Sequence, residues 1–160
     1  RATVPGLTPI EERNVVLVGV RDLDAHQRDR LSASAIRVVR SESSGAVEYR
    51  RVLDDVQCRV TRMYLHVDLD ALDPADGIAN RYAAPQGLRV EQLLAALRLV
   101  FDRFQVVAVA LTAYDPTPDI DGRMAETATR VLSSVAGALV PAGLRRTRRS
   151  PDGAQAPAER

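Results

Sequence analysis

Residues 65–74 read LHVDLDALDP, which places three aspartates at positions 68, 70 and 73. On an extended strand Asp68 and Asp70 share a face, about 6.5–7 Å apart. Two carboxylates that close in an apolar setting repel one another. Either one is protonated or a cation sits between them. A hard divalent cation with oxygen and imidazole ligands resolves the repulsion. Carboxylates at one strand end could also bridge two such ions, the arrangement that two-metal hydrolysis needs. His66 stands on the same face of the strand, where it could shuttle a proton or support a ligand; the plainer expectation is a packed structural histidine. The plain alternative for the whole segment is an acidic loop of solvated aspartates. An EF-hand-like calcium loop does not fit, because the fifth position would be Leu72 and no glycine follows it.

The elements that must position these residues are short. Residues 14–20 (NVVLVGV) form a β-branched apolar run, the pattern of a strand buried on both faces. Asp24 is placed to cap a helix running to Leu31. Residues 35–39 are a weaker strand, and Ser41–Ser44 with Gly45 punctuate the chain. Apolar residues at 47, 52, 53, 56 and 60 keep helical spacing. Residues 63–69 are the next strand, and 70–89 read as loop. Residues 90–104 are the clearest amphipathic helix, 105–112 a fourth strand, 115–122 a polar, proline-containing loop and 124–139 a further helix. Single strands alternating with helices predict an α/β fold with a parallel sheet covered on both faces. In such sheets sites lie at the carboxyl ends of the strands. Chemistry is therefore expected near Arg21, residues 40–42, 68–73 and 113–119. Gly19 and Gly87 read as turn or close-approach positions.

Composition removes several classes of function. With 46% hydrophobic and 27% charged residues over 160 positions, the chain is neither disordered nor fibrous. A single cysteine, Cys58, makes no internal disulfide and reads as a core or helix-face thiol. The formal charge is +1, with all 22 basic residues arginine, so no strong field draws nucleic acid. The arginine and alanine usage is that of a GC-rich, bacterial genome. No apolar run reaches the roughly 20 residues of a membrane span, and no signal pattern opens the chain. The expectation is a cytoplasmic protein with neither nucleic-acid nor membrane partners. Residues 142–160, including the RRTRR cluster at 145–149, read as a solvated, disordered tail. Phosphate-loop, dinucleotide and serine-nucleophile motifs are absent from the sequence.

Residues 65–74, followed by AAPQGL at 83–88, resemble the signature of the ureohydrolases: arginase, agmatinase and formimidoylglutamase. Residues 14–24 (NVVLVGVRDLD) are similar to that family's strand leading into a Gly-x-Arg turn. Residues 106–119 (VVAVALTAYDPTPD) are similar to its last strand and the loop that follows. The resemblance covers about residues 12–140. It implies a three-layer α/β/α fold with a parallel sheet of eight strands, of which this chain supplies about four. Residues 1–141 would be the C-terminal half of such a domain. One strand absent here would lie between the third and first strands, leaving unpaired edges. The resemblance also implies a binuclear Mn2+ centre whose bridging hydroxide attacks the carbon of a small guanidino or amidino substrate. Asp68 and Asp70 fall on metal-ligand positions. Asp73 belongs to the motif without being a ligand and is expected to fix the loop by hydrogen bonds.

The chain departs from the family pattern in three ways. The other ligand motifs, Gly-Gly-Asp-His and Asp-Ala-His-x-Asp, do not occur; the DAH at Asp24–His26 is followed by Arg28 where the second aspartate should stand. Its plain reading is a helix start with an exposed histidine. The glutamate expected after the last strand is replaced by Ala113, and Asp115 two residues on is the candidate to replace that charge. The chain also opens on Arg1 rather than Met, as expected of a processed or partial polypeptide. Expected partners are the missing N-terminal half or, in a full-length protein, further copies of itself. Three functions compete. One is part of a manganese-dependent hydrolase of linear amidines, with this chain alone inactive. The second is a non-catalytic remnant or binding module lacking a complete metal centre. The third is an unrelated α/β module whose aspartates hold Mg2+ and a phosphate ester.

Overall fold

A computed structural model describes residues 5–40 and 46–139. The expected punctuation at Ser41–Ser44 and Gly45 and the tail with its arginine cluster lie outside the described residues. The elements alternate as the sequence predicts: β1 Val16–Val18, α1 Ala25–Ser32, β2 Arg37–Val39, α2 Ala46–Gln57, β3 Arg62–Asp68, α3 Val90–Phe101, β4 Gln105–Thr112 and α4 Arg123–Leu139. Short 3-10 turns at Glu12–Asn14, Leu69–Ala71 and Pro74–Asp76 interrupt segments expected to be loop or strand.

Helix starts follow local chemistry. The Asp24 carboxylate accepts from the Gln27 amide at 2.7 Å, and the Gln27 side chain accepts from the Asp24 amide at 3.0 Å, a reciprocal capping box. The helix it opens buries no residue, and His26 is exposed on its first turn. At α3, Asp76 accepts from the Val90 amide at 2.8 Å and pairs with Arg89 at 2.6 Å. Cys58 lies just past α2, exposed, with its thiol 3.3 Å from the Asp54 carbonyl oxygen.

The strands form two parallel pairs rather than one continuous sheet. β1 pairs with β2, Leu17 opposite Val38, and β3 pairs with β4, Asp68 opposite Thr112. One cluster joins Val67 of β3 to Val90, Leu94 and Leu97 of α3 and to Val131 and Val135 of α4. A second joins Leu53 and Val56 of α2 to Val100, Phe104 and Val106, with Val16 of β1 packed alongside. A third, around Leu69, Leu72, Leu88 and Met124, lies beneath the strand ends.

Burial departs from the expectation of a sheet covered on both faces. Along β3, Met63, Leu65 and Val67 pack inward, whereas Tyr64, His66 and Asp68 are exposed. α3 and α4 cover one face of the β3–β4 pair; among the described residues no helix is grouped with Tyr64 or His66 on the other. β1 is three residues long rather than seven, because it is paired on one side only and by a three-residue partner. No described helix is long and apolar enough to cross a membrane.

Candidate functional site

β3 ends at Asp68, and the chain turns at once into the 3-10 segment Leu69–Ala71. The cause is local. The Asp68 side chain accepts from the Asp70 amide at 2.9 Å, capping the turn, while Leu69 is drawn into the core. Asp70 therefore leaves the strand, which corrects the expectation that Asp68 and Asp70 sit on one strand face. The turn brings Asp70 to the rim, where its Oδ1 is buried with no hydrogen-bond partner. A buried acceptor without a partner costs about 1–3 kcal/mol, more when charged. A hard divalent cation fits that orphaned oxygen. Asp68 and Asp70 make only part of a donor set, since among the described residues no group of three or more His, Cys, Asp or Glu is placed to hold an ion.

Arg21, at the end of the Gly-x-Arg turn, grips this rim. Its Nη2 donates to the carbonyl oxygens of Asp70 at 2.6 Å, Ala84 at 2.8 Å and Leu72 at 3.2 Å, and its Nε donates to Ala84 at 3.2 Å. Charged donors to backbone acceptors are the stronger class of hydrogen bond. One side chain thus ties β1 to both ends of the loop that follows β3.

Asp73 closes that loop. Its carboxylate accepts from the Ala75 amide at 2.9 Å and the Gly87 amide at 3.2 Å. Leu72 and Leu88 form an isolated parallel bridge, with Asp73 N to Leu88 O and Leu88 N to Ala71 O both at 2.9 Å. Gly87 is the close-approach position expected of it: a Cβ there would lie 2.5 Å from the Asp73 nitrogen and the Leu72 carbonyl carbon.

Three described residues other than glycine have positive φ: Asp22 at 54°, Gln86 at 65° and Ala113 at 68°. Asp22 follows Arg21, Gln86 precedes Gly87, and Ala113 follows the residue paired with Asp68. Such strain gathers at functional rims and persists only where neighbours enforce it. At Ala113 the enforcement is visible. Asn80 Nδ2 donates to the Ala113 carbonyl at 3.2 Å, and the Asp115 amide donates to Ala79 at 2.8 Å. Ala113→Gly is expected to stabilise the chain by about 0.5–1 kcal/mol, read as a higher urea midpoint at unchanged slope. A lower midpoint would show that the left-handed backbone carries no strain.

His66 is exposed rather than packed, which corrects the plainer expectation. Its Nε2 shares a 2.9 Å hydrogen bond with the Thr112 hydroxyl, and its Nδ1 lies 3.4 Å from the Tyr64 hydroxyl. The reason is the uncovered sheet face on which all three stand. Asp115, half-buried beyond β4, is held below the usual carboxylate range by hydrogen bonds from the Thr117 amide and hydroxyl.

Two further carboxylates brace the site and were not singled out from sequence. Asp119 is 7% exposed and accepts from the Met124 and Ala125 amides, each at 2.9 Å, and from the Tyr114 hydroxyl at 3.0 Å. Asp76 caps α3 from fourteen residues away. Asp119 stands just before α4, so helix-cap spacing could have revealed it; Asp76 carries no local signal.

Asp73 and Asp119 both titrate low in the folded chain. For Asp73 the Ala75 amide is the leading cause, with those of Gln86 and Gly87 adding to it. For Asp119 burial acts upward, and the Met124 and Ala125 amides and the Tyr114 hydroxyl outweigh it. The folded chain then binds fewer protons than the unfolded one. The stability involved is complete above about pH 4 and drains away as pH falls through the lowered folded values. Thermal midpoints should be level from pH 7 to pH 5 and fall below about pH 4. Asp73→Asn and Asp119→Asn should each flatten that acid limb; an unchanged limb in both would contradict this account.

Parallel strands alternating with helices, with an acidic and strained rim at the strand carboxyl ends, define an α/β protein with its candidate site at that rim. The chain belongs to the arginase family, whose profile matches residues 4–137. It is similar to the arginase of Brevibacillus brevis, 26% identical over 139 residues, covering 84% of this chain and 47% of that protein. It is also similar to the N(omega)-hydroxy-L-arginine amidinohydrolase of Streptomyces lavendulae, 29% identical over 143 residues, covering 88% of this chain and 47% of the relative. Its fold matches the crystal structure of Bacillus subtilis arginase with a TM-score of 0.74 at 24% identity, over 83% of this chain and 48% of that one. The chain spans about half the length of the curated relatives it matches.

Proposed function

We propose that this chain supplies part of the catalytic centre of a manganese-dependent hydrolase that cleaves a C–N bond in a small guanidino or amidino compound. The observation that carries the reading is the buried, partnerless Oδ1 of Asp70, held beside Asp68 on a rim that Arg21 clamps. Asp68 and Asp70 would hold the metal, with the remaining donors contributed from outside the described residues. Bound divalent cations would lower the pKa of water at the site and polarise the substrate carbon. The chain's own residues bind and orient. Asp115, kept ionised by Thr117, offers a negative charge to a planar cationic group that donates paired hydrogen bonds. His66, which shares a hydrogen bond with Thr112 at the exposed end of β3, would relay a proton there. Arg21 and Asp73 hold the loop backbone in register so that Asp70 faces the rim. The arginase and amidinohydrolase names of the relatives support this substrate class.

The test uses the longest native polypeptide that carries these residues, loaded with Mn2+. Metal analysis should find about two ions per chain, and a panel of guanidino compounds should include one that releases urea or the corresponding small amide. Asp115→Asn should raise KM at least about tenfold for a cationic substrate while changing kcat little. A protein that binds no manganese and turns over none of the panel would overturn the proposal. That outcome would favour the second reading, a binding module without a working centre. The specific observation behind it is that no cluster of three ligands forms among the described residues.

A further inference from the structure

We infer that Arg81 is a specificity residue that holds a carboxylate carried by the substrate, so that this site prefers short guanidino or amidino acids to guanidines without an acid group. The inference rests on the proposed function and narrows its substrate.

The backbone sets Arg81 at the rim. It stands in the short segment 80–84, which is held at both ends. At one end Asn80 Nδ2 donates to the Ala113 carbonyl at 3.2 Å, and the Asp115 amide donates to the Ala79 carbonyl at 2.8 Å. At the other end Arg21 Nη2 donates to the Ala84 carbonyl at 2.8 Å while holding the Asp70 carbonyl at 2.6 Å. The segment therefore reaches from the loop carrying Asp70 to the end of β4. Inside it Asn80 Oδ1 accepts from the Tyr82 amide at 2.8 Å, and the Ala83 amide donates to the Asn80 carbonyl at 3.3 Å. Arg81 lies within that closed turn, so its starting point is fixed although its side chain is exposed.

The Arg81 guanidinium is available. Arg21 gives its donors to carbonyl oxygens, Arg89 pairs with Asp76 and Arg123 pairs with Asp121. Arg81 makes no hydrogen bond or ion pair among the described residues. Its charge nevertheless reaches Asp115 and helps to keep that carboxyl ionised. Asp119, the other carboxylate of this loop, is occupied by the first amides of α4 and the Tyr114 hydroxyl. The rim thus offers one anion, Asp115, and one unengaged cation, Arg81, beside each other. A guanidinium group that settles against Asp115 enters the field of Arg81. A substrate that is only cationic is repelled there. A substrate that also carries a carboxylate meets a planar fork of donors suited to bidentate pairing. Because Arg81 is exposed, water screens the pair, and the expected preference is about fivefold rather than several orders of magnitude.

The probes are 4-guanidinobutyrate and propylguanidine, which share a three-carbon chain and a guanidinium and differ by the carboxylate. Binding is measured by NMR titration of the longest native polypeptide in EDTA, so that hydrolysis does not consume either probe. The acid should bind at least about fivefold more tightly than propylguanidine. Arg81→Gln should erase that difference by weakening the acid alone. Arg130→Gln removes the same charge from α4, where the arginine pairs with Glu91, and should leave the difference intact. Equal binding of the two probes, binding of neither, or a preference that survives Arg81→Gln overturns the inference. Turnover in Mn2+ is scored separately. A carboxylate preference that depends on Arg81, with no guanidino compound hydrolysed, would overturn the proposed hydrolase and leave the assignment of Arg81 standing.

Discussion

Asp70→Asn is expected to raise the stability of the metal-free chain and to lower its affinity for manganese. The two effects have one origin. Asp70 Oδ1 is buried without a partner, so without a cation a negative charge is desolvated for no return. An amide leaves the same oxygen orphaned but neutral, and about 1 kcal/mol should be recovered, read as a higher denaturant midpoint. On the proposed reading the same change in the manganese-loaded native polypeptide would remove a carboxylate ligand, and affinity should fall at least about tenfold. Asp68→Ala separates the roles further. It removes the cap on the Asp70 amide, worth about 0.5–2 kcal/mol, and the second carboxylate, so stability and metal content should fall together. If Asp70→Asn retains its metal, the ligand assignment is wrong; if it destabilises the metal-free chain, the orphaned oxygen has been misjudged.

The second large effect is structural. Gly87→Ala should destabilise the chain by about 3 kcal/mol, a fall of about 10 °C in Tm. A Cβ at this position would meet Leu72 and Asp73 backbone atoms at 2.5–2.6 Å, and backbone cannot rotate aside as a side chain can. Relief requires opening the Leu72–Leu88 bridge, with its two 2.9 Å hydrogen bonds and the Asp73 carboxylate contact to the Gly87 amide. Gly137→Ala is the matched control. It lies in α4 with nothing within 4 Å of the added carbon, so the helix should gain up to about 1 kcal/mol. Equal effects at the two positions would show that the close approach at Gly87 carries no energetic weight.

The alternation of strands and helices was legible because each element carries its own period and its own stop signals. The Asp24 cap and the amphipathic run opening at Val90 are examples whose starting residues match the structure. The acidic segment was legible as chemistry, but its geometry was not. Strand alternation puts Asp68 and Asp70 side by side, yet the Asp68 side chain ends the strand by capping its own neighbour, and Leu69 is worth more in the core than in the ladder. Burial on both faces was misjudged for a different reason. β-branched runs such as 14–20 report what a strand is suited to pack against, and that partner need not be among the residues at hand. The grip of Arg21 and the Asp76 cap of α3 join positions far apart in the chain, and no local pattern encodes either contact.

Arg21 touches the loop through carbonyl oxygens alone, at Asp70, Leu72 and Ala84. Every amino acid presents that group, so the clamp does not read the identity of the side chains it holds in place. The exposed positions between, such as Arg81 and Tyr82, are therefore free to drift without loosening the frame. Side chains along the loop can therefore be exchanged while the hydrogen bonds that hold Asp70 at the rim stay the same.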